Sequence, residues 1–483
     1  MNYLSKDIRT IHNAILDGKV TPLDLVIEAI SLAKKDNNNA FEYICEKEAI
    51  QKAKSLDKNK ISKLLYGIPV VIKDNYATKD IPTTASSNIL NGYVPVFSSE
   101  VVTRLENEGA IVIGKSTMDE LAMGGTGTNG HLGITYNPWD KSHTHIIGGS
   151  SSGSAASVSA GIVPFSIGSD TGDSVRKPAS YAGLVGLKPT WGRISRYGLF
   201  PFACSLDHVA YFTRNVFDSA CILNVLAGRD DKDFSSSFKE VEDYTKQLDN
   251  PLLGKKIAVI KEINDSVSSQ TIKEQFNKTV AFLRDNGAVV DEISIDQKLL
   301  RAIYSTYIII ASAEATSNYA SLDGIKFGNR IDGNSYEEVV KKTRTAGFSA
   351  YAKRRFVIGS LSLLKENQNE LFLRAQKCRR LIVNAFNKVF EKYDAIYAPA
   401  SPTVAPLIKT TKVQIDNDSL IADNYMAFAN LGGFPSITIP IGFCDGLPFG
   451  GNLTAKPFDE SNLLNIANEL EKKTGLANIV AGK

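Results

Sequence analysis

Residues Gly148 to Ser180 read GGSSSGSAASVSAGIVPFSIGSDTGDSVRKPAS, two clusters of small hydroxyl residues separated by an apolar run. Gly148, Gly149 and Gly153 around Ser150, Ser151, Ser152 and Ser154 leave a backbone with little side-chain cover, where a substrate or another strand can approach closely. Ala155 to Gly161 predicts a helix of small residues, which puts the serines beside unpaired N–H groups at its N-terminus. Ile162 to Ile167 is apolar and predicts a strand. That strand delivers Gly168 through Ser174 at its C-terminal end, where open α/β sheets place their chemistry. Gly/Ser-rich segments are often plain loops, but the apolar strand between the clusters argues against a linker. The stretch therefore reads as an active site.

The segment resembles the signature of the amidase-signature family, roughly GGSSGGS, a spacer, then DTGGSIR-x-PA. The second landmark of that family, a lysine in G-x-P-x-x-x-KD, is matched by Gly67-Ile68-Pro69-Val70-Val71-Ile72-Lys73-Asp74. The resemblance implies Ser174 as nucleophile, Ser150 as a bridging serine after a cis peptide bond, and Lys73 as base. It also implies backbone N–H groups of Thr171, Gly172, Asp173 and Ser174 as the oxyanion hole. The two serines stand 24 positions apart, the separation expected for the family. Two departures matter: Asp173 replaces the second glycine of DTGGS, and Ser152 replaces a glycine of GGSSGGS. A carboxylate beside an oxyanion hole opposes developing negative charge unless a cation compensates it; Arg176 and Lys177 are the candidates, and at 177 glutamine is common in the family.

With 483 residues, 43% hydrophobic and 22% charged, the chain has the composition of a folded globular protein rather than an unfolded or fibrous one. A net charge of +3 is too small to imply a nucleic-acid footprint, so any RNA contact is expected through a partner. Five cysteines, Cys45, Cys204, Cys221, Cys378 and Cys444, are far apart and predict buried thiols in a reducing compartment without disulfides. No basic segment with an apolar core opens the chain, and the apolar stretch at Ile308 to Ala311 falls short of the roughly 20 residues of a membrane span. A cytoplasmic protein without membrane contact is the expectation, or one of an organelle matrix if a targeting segment was removed.

In chain order, Ile8, Ile11 and Ile15 recur at helical spacing, and Thr21-Pro22 predicts the start of a second helix. A charged helix follows near Glu46 to Leu56, and the strand Ile68 to Ile72 presents Lys73 at its end. Gly109 to Ser116, GAIVIGKS, matches a phosphate-binding pattern, but its β-branched interior predicts a strand instead of a loop. Gly149 to Gly153 matches G-x-S-x-G around Ser151; only His208 lies downstream, and no acid pairs with it from sequence. His143 and His145 near Asp140 lack a third ligand, so no metal is expected. From Tyr181 to Asn215 strand, turn and second strand are predicted, with Ser205-Leu206-Asp207 either a wall of the site or a buried polar turn. Asp230 to Phe238, charged and Ser-rich, reads as a surface loop or the edge of the signature core. Strands at Lys256 to Ile260 and Val289 to Ile293, a helix from Ile272, and strands around Ala395 to Tyr397 and Ser436 to Ile439 complete one sheet.

The expected fold is α/β: a single amidase-signature domain over 1–483, with a mixed central sheet covered by helices on both faces. Its signature core spans about 65–215 and a helix-rich, substrate-side segment about 299–390. SRYGLFPFACSLDHVAYFTRNV at 195–216, AQKCRRLIVNAFNKVFEKYD at 375–394 and NLGGFPSITIP at 430–440 carry the resemblance through nearly the whole chain, and it is greatest to the branch that serves as glutaminase subunits of tRNA-dependent amidotransferases. It implies that Arg355 and Asp423 hold the carboxylate and amino group of glutamine, a pairing suited to a zwitterion. It further implies no cofactor in this chain, the B and C subunits of the amidotransferase as partners in a heterotrimer, ATP and Mg in a partner, and tRNA reached through the B subunit. Such chemistry needs Lys73 neutral near pH 7; its pKa must fall from about 10.4 by roughly three units, a cost of about 4 kcal/mol. A stand-alone amidase acting on another amide, and an assembly subunit disabled by Asp173, are the further readings the sequence leaves open.

Overall fold

The computed structural model describes residues 3–410 and 419–482. Eleven strands form one sheet: β1 (Phe41–Ile44), β2 (Pro69–Lys73), β3 (Ile111–Ser116), β4 (Phe165–Asp170), β5 (Val185–Lys188), β6 (His208–Thr213), β7 (Lys256–Ile260), β8 (Val289–Ile293), β9 (Ala395–Pro399), β10 (Ser436–Cys444) and β11 (Leu447–Ala455). Their order is β1-β3-β2-β4-β6-β5-β10-β11-β9-β7-β8. The sheet is mixed: β3, β2 and β4 run parallel, as do β9, β7 and β8, while the pairs from β4 through β6, β5, β10 and β11 to β9 are antiparallel.

Alternating residues show that both faces are covered. On β7 and β9, Ile257, Val259, Ala395 and Tyr397 join one apolar cluster, and Ala258, Ile260, Ile396 and Ala398 join the other. Period-two alternation of a strand buried on both sides requires this arrangement. One face carries the N-terminal helices and Glu460–Thr474; the other carries Gln297–Asn318, Ala350–Leu363 and Arg374–Phe390. The helix Pro22–Lys34 begins with a capping box in which the Thr21 side chain and Asp24 satisfy each other's backbone N–H groups. Ile8, Ile11, Leu25 and Val26 are buried, so the first two helices belong to the core.

Several boundaries differ from the sequence reading. The small-residue helix spans Ser152–Ser159, not Ala155 to Gly161, and the strand after it spans Phe165–Asp170, not Ile162 to Ile167. Pro164 carries no N–H for a ladder, and the chain before it finishes the turn out of the helix. Gly109 to Ser116 contributes β3, with Lys115 wholly buried 3.3 Å from Asp74, so the phosphate-loop pattern is architectural. Cys45 and Cys221 are buried, but Cys204 is exposed and Cys378 and Cys444 are partly so, which corrects the expectation of five buried thiols. No described helix is long and apolar enough to cross a membrane.

Candidate active site

Strands β2 and β4 are adjacent and parallel, with Ile72 opposite Ile167. Their C-terminal ends therefore open on the same edge, Lys73 from one and Ser169-Asp170 from the other. The helix Ser152–Ser159 points its N-terminus at this edge and consists entirely of buried small residues. Gly168 is required there, because a Cβ would lie 2.7 Å from Val175 Cγ2 and 3.0 Å from Ser151 Oγ.

The Lys73 amine donates to Ser150 Oγ at 2.7 Å, Ser151 Oγ at 2.9 Å and Ser169 Oγ at 2.9 Å. The Gly149–Ser150 peptide bond is cis. The Ser151 N–H donates to the Ser174 carbonyl at 3.3 Å, which ties the second hydroxyl cluster to the first. Lys73, Ser150 and Ser174 are all buried. Burial pushes the Lys73 pKa down to about 7, against a smaller opposing pull from Asp119, Asp170 and Asp207. Three donated bonds belong to the protonated amine; the neutral amine keeps two N–H groups, for Ser151 and Ser169, and a lone pair that can accept the Ser150 proton across the 2.7 Å contact.

A buried carboxylate fixes the turn after β4. Asp170 accepts from Arg176 Nη2 at 2.9 Å, Arg176 Nε at 3.1 Å and the Val175 N–H at 3.0 Å. Burial opposes its charge, but the Arg176 guanidinium holds its pKa well below the usual carboxylate range. Arg176 also donates to the Gly172 carbonyl at 2.7 Å. Thr171 donates to Asp207 Oδ1 at 2.7 Å, and Asp207 caps the N–H groups of Phe202 and Ala203, so Ser205-Leu206-Asp207 is a buried polar turn that also braces the site. Asp119 plays the same part under the first cluster, accepting N–H groups of Thr126, Gly127 and Asn129.

Asp173 is compensated only in part by the two cations the sequence suggested. Arg176 is engaged by Asp170. Lys177 lies 3.8 Å from Asp173 Oδ2 but 2.8 Å from Asp423 Oδ1, and it also donates to the Asp423 carbonyl. Burial raises the Asp173 pKa to about 6 although Lys177 opposes it. Asp423 thus enters the site already ion-paired. Arg355 is buried on the helix Ala350–Leu363, with Nη1 3.4 Å from Ser312 Oγ. Its charge and that of Asp423 both act on Tyr304, and its charge and that of Asp173 act on Tyr307. The Tyr307 ring lies against Gly172, where a Cβ would come within 3.0 Å of it. Arg355 and Asp423 are therefore in the neighbourhood of the nucleophile turn.

The competing motifs resolve as local structure. Ser151 Oγ donates to the Ser169 carbonyl at 3.1 Å, while His208 Nδ1 lies 2.7 Å from the Leu206 carbonyl; among the described residues no hydrogen bond joins serine to histidine. Asp140 caps Ser142, Thr144 and His145, and His143 stacks on Tyr136. Among the described residues, no three His, Cys, Asp or Glu side chains are placed to hold a metal ion. Sequence reasoning missed the parts played by Ser151, Ser169, Asp119 and Tyr307. Ser169 had a signal, since it stands at a strand end two residues after Ile167 on the same face; Asp119 and Tyr307 had none.

Residues 24–464 match the sequence profile of the Amidase family. The chain is 39% identical over 481 residues to the A subunit of the glutamyl-tRNA(Gln) amidotransferase of Pediococcus pentosaceus, covering 98% of each chain. It is 41% identical to the protein of the same name from Persephonella marina, again over 98% of both. Among solved structures, the glutamyl-tRNA(Gln) amidotransferase A subunit of Thermotoga maritima superposes with a TM-score of 0.81 at 33% identity, covering 98% of this chain and 96% of that one.

Proposed function

The chain belongs to the amidase family, and from that membership and the geometry of its site we propose that it is the glutamine-hydrolysing subunit of a glutamyl-tRNA(Gln) amidotransferase. The observation that carries the reading is the buried Lys73 amine 2.7 Å from the Ser150 hydroxyl, in a loop hydrogen-bonded to Ser174. Ser174 Oγ attacks the side-chain amide carbon of glutamine while its proton passes through Ser150 to neutral Lys73. Backbone N–H groups of Thr171 to Ser174 stabilise the oxyanion. Collapse breaks the C–N bond, and the proton returns through Ser150 to the departing nitrogen, releasing ammonia. Water then cleaves the γ-glutamyl ester by the reverse relay and frees glutamate. Arg355 takes the substrate carboxylate, and of the acidic groups near the nucleophile turn, Asp423, which the family resemblance implies, or Asp173, one takes the ammonium.

The chain acts with further subunits of the amidotransferase, in our reading its B and C subunits, as a heterotrimer in the cytoplasm. The ammonia amidates glutamyl-tRNA(Gln) on the B subunit, where ATP and Mg are used; this chain needs no cofactor for its own step. The Lys177–Asp423 pair favours a second reading, an amidase whose substrate carries no α-ammonium. The test is ammonia release from glutamine by the chain alone and co-purified with the B and C subunits. Release that is abolished in Ser174→Ala supports the proposal; release that survives that substitution refutes it.

A further inference from the structure

Asp173, Lys177 and Asp423 form a cluster in which one cation stands between two carboxylates. Lys177 makes two contacts with Asp423, to its carboxylate at 2.8 Å and to its carbonyl, but stays 3.8 Å from Asp173 Oδ2, beyond hydrogen-bond distance. The lysine side chain is 5% exposed, whereas Asp173 and Asp423 are 26% and 28% exposed. The cation is thus shut in, and both carboxylates keep part of their surface open to solvent. The residue before Asp173, Gly172, lies against the Tyr307 ring, where a Cβ would be 3.0 Å from its Cζ. The three charges sum to −1, the same as a lone Asp423 would give beside an uncharged residue 177. The negative charge that Lys177 does not neutralise sits mainly on Asp173.

Resting on the glutaminase reading above, we propose that Asp173 accepts the α-ammonium of the substrate in this chain, Lys177 having withdrawn Asp423 from that task, so that Asp173 sets specificity for amides that carry an α-amino group. The placement couples recognition to chemistry. Asp173 adjoins the nucleophile, and its carboxylate, held by Lys177 only at 3.8 Å and without a hydrogen bond from it, opposes an oxyanion beside it. A bound ammonium cancels that opposition. A substrate without the ammonium loses the ion pair and also meets the uncancelled carboxylate.

The test compares ammonia release from L-glutamine and from glutaramate, the same amide without the α-amino group, by the full chain co-purified with its partner subunits. Wild type is expected to prefer glutamine. In Asp173→Asn the ratio of the two kcat/KM values falls by about tenfold to a hundredfold, because glutamine loses a charged hydrogen bond while glutaramate escapes the opposing carboxylate. Asp173→Gly with Lys177→Gln leaves Asp423 alone with the charge of −1, and the ratio returns to within about threefold of wild type. A purely structural role for Asp173 lowers both substrates equally. A ratio unmoved by Asp173→Asn, or a wild type that prefers glutaramate, overturns the assignment while glutamine turnover keeps the glutaminase reading. No ammonia from either substrate in the wild-type complex overturns both.

Discussion

Replacing Lys73 by Met exchanges a buried amine for an apolar side chain of similar length and should change how stability depends on pH. In the fold the Lys73 pKa is lowered from 10.5 to about 7. Between those values the unfolded chain holds a proton that the folded chain does not, so raising the pH favours the fold. The penalty is fully present below about pH 7, where it amounts to about 5 kcal/mol, and it fades as the pH climbs toward the unfolded value. From about pH 6 to pH 9 wild type should gain roughly 2 to 3 kcal/mol relative to Lys73→Met. The absolute offset is mixed with the hydrogen bonds to Ser150, Ser151 and Ser169 that the variant loses, each worth about 1 kcal/mol. The slope is free of that mixture. Urea unfolding of both proteins across this range reads it, and parallel stability curves would refute a depressed Lys73.

The same proton controls rate. kcat/KM for glutamine should rise about tenfold per pH unit below the Lys73 pKa of about 7 and level off above it; a flat profile between pH 5.5 and 8 contradicts Lys73 as base. Ser150→Ala removes the relay between Lys73 and Ser174 and should lower kcat by about 10²- to 10⁴-fold with little change in thermal midpoint, and a loss below about tenfold in steady-state assays would argue for direct transfer. Gly149→Ala places a Cβ 2.0 Å from Asp119 Oδ2 and 2.7 Å from the Gly127 nitrogen. It should cost about 1 to 3 kcal/mol in denaturant unfolding, and an unchanged midpoint would mean that Asp119 does not hold this loop.

What could be read from the sequence was what depends on local pattern. Apolar runs ending at Ile72 and Ile167 announced two buried strands, and parallel pairing alone brings their C-terminal ends together. Two strands escaped notice. β1 is four residues long with no clean alternation, and β11 contains Gly450 and Gly451, which weaken the strand signal. The signal for β11 was present in the turn: Asp445 and Gly446 have φ of 52° and 78° between Cys444 and Leu447, the dipeptide and backbone of a tight hairpin. The charge pairing at the site was not legible, because Lys177 and Asp423 meet only through tertiary packing. Helical spacing favoured Asp173 as the partner of Lys177, four residues on, yet the longer-range carboxylate lies closer.

The most direct test of the account is mass spectrometry of the chain, in complex with its partner subunits, quenched during glutamine turnover and digested. A γ-glutamyl ester on the peptide bearing Ser174, absent in Ser174→Ala, is the predicted result. An adduct on Ser150 or Ser151, or ammonia formed with no adduct on Ser174, would contradict it.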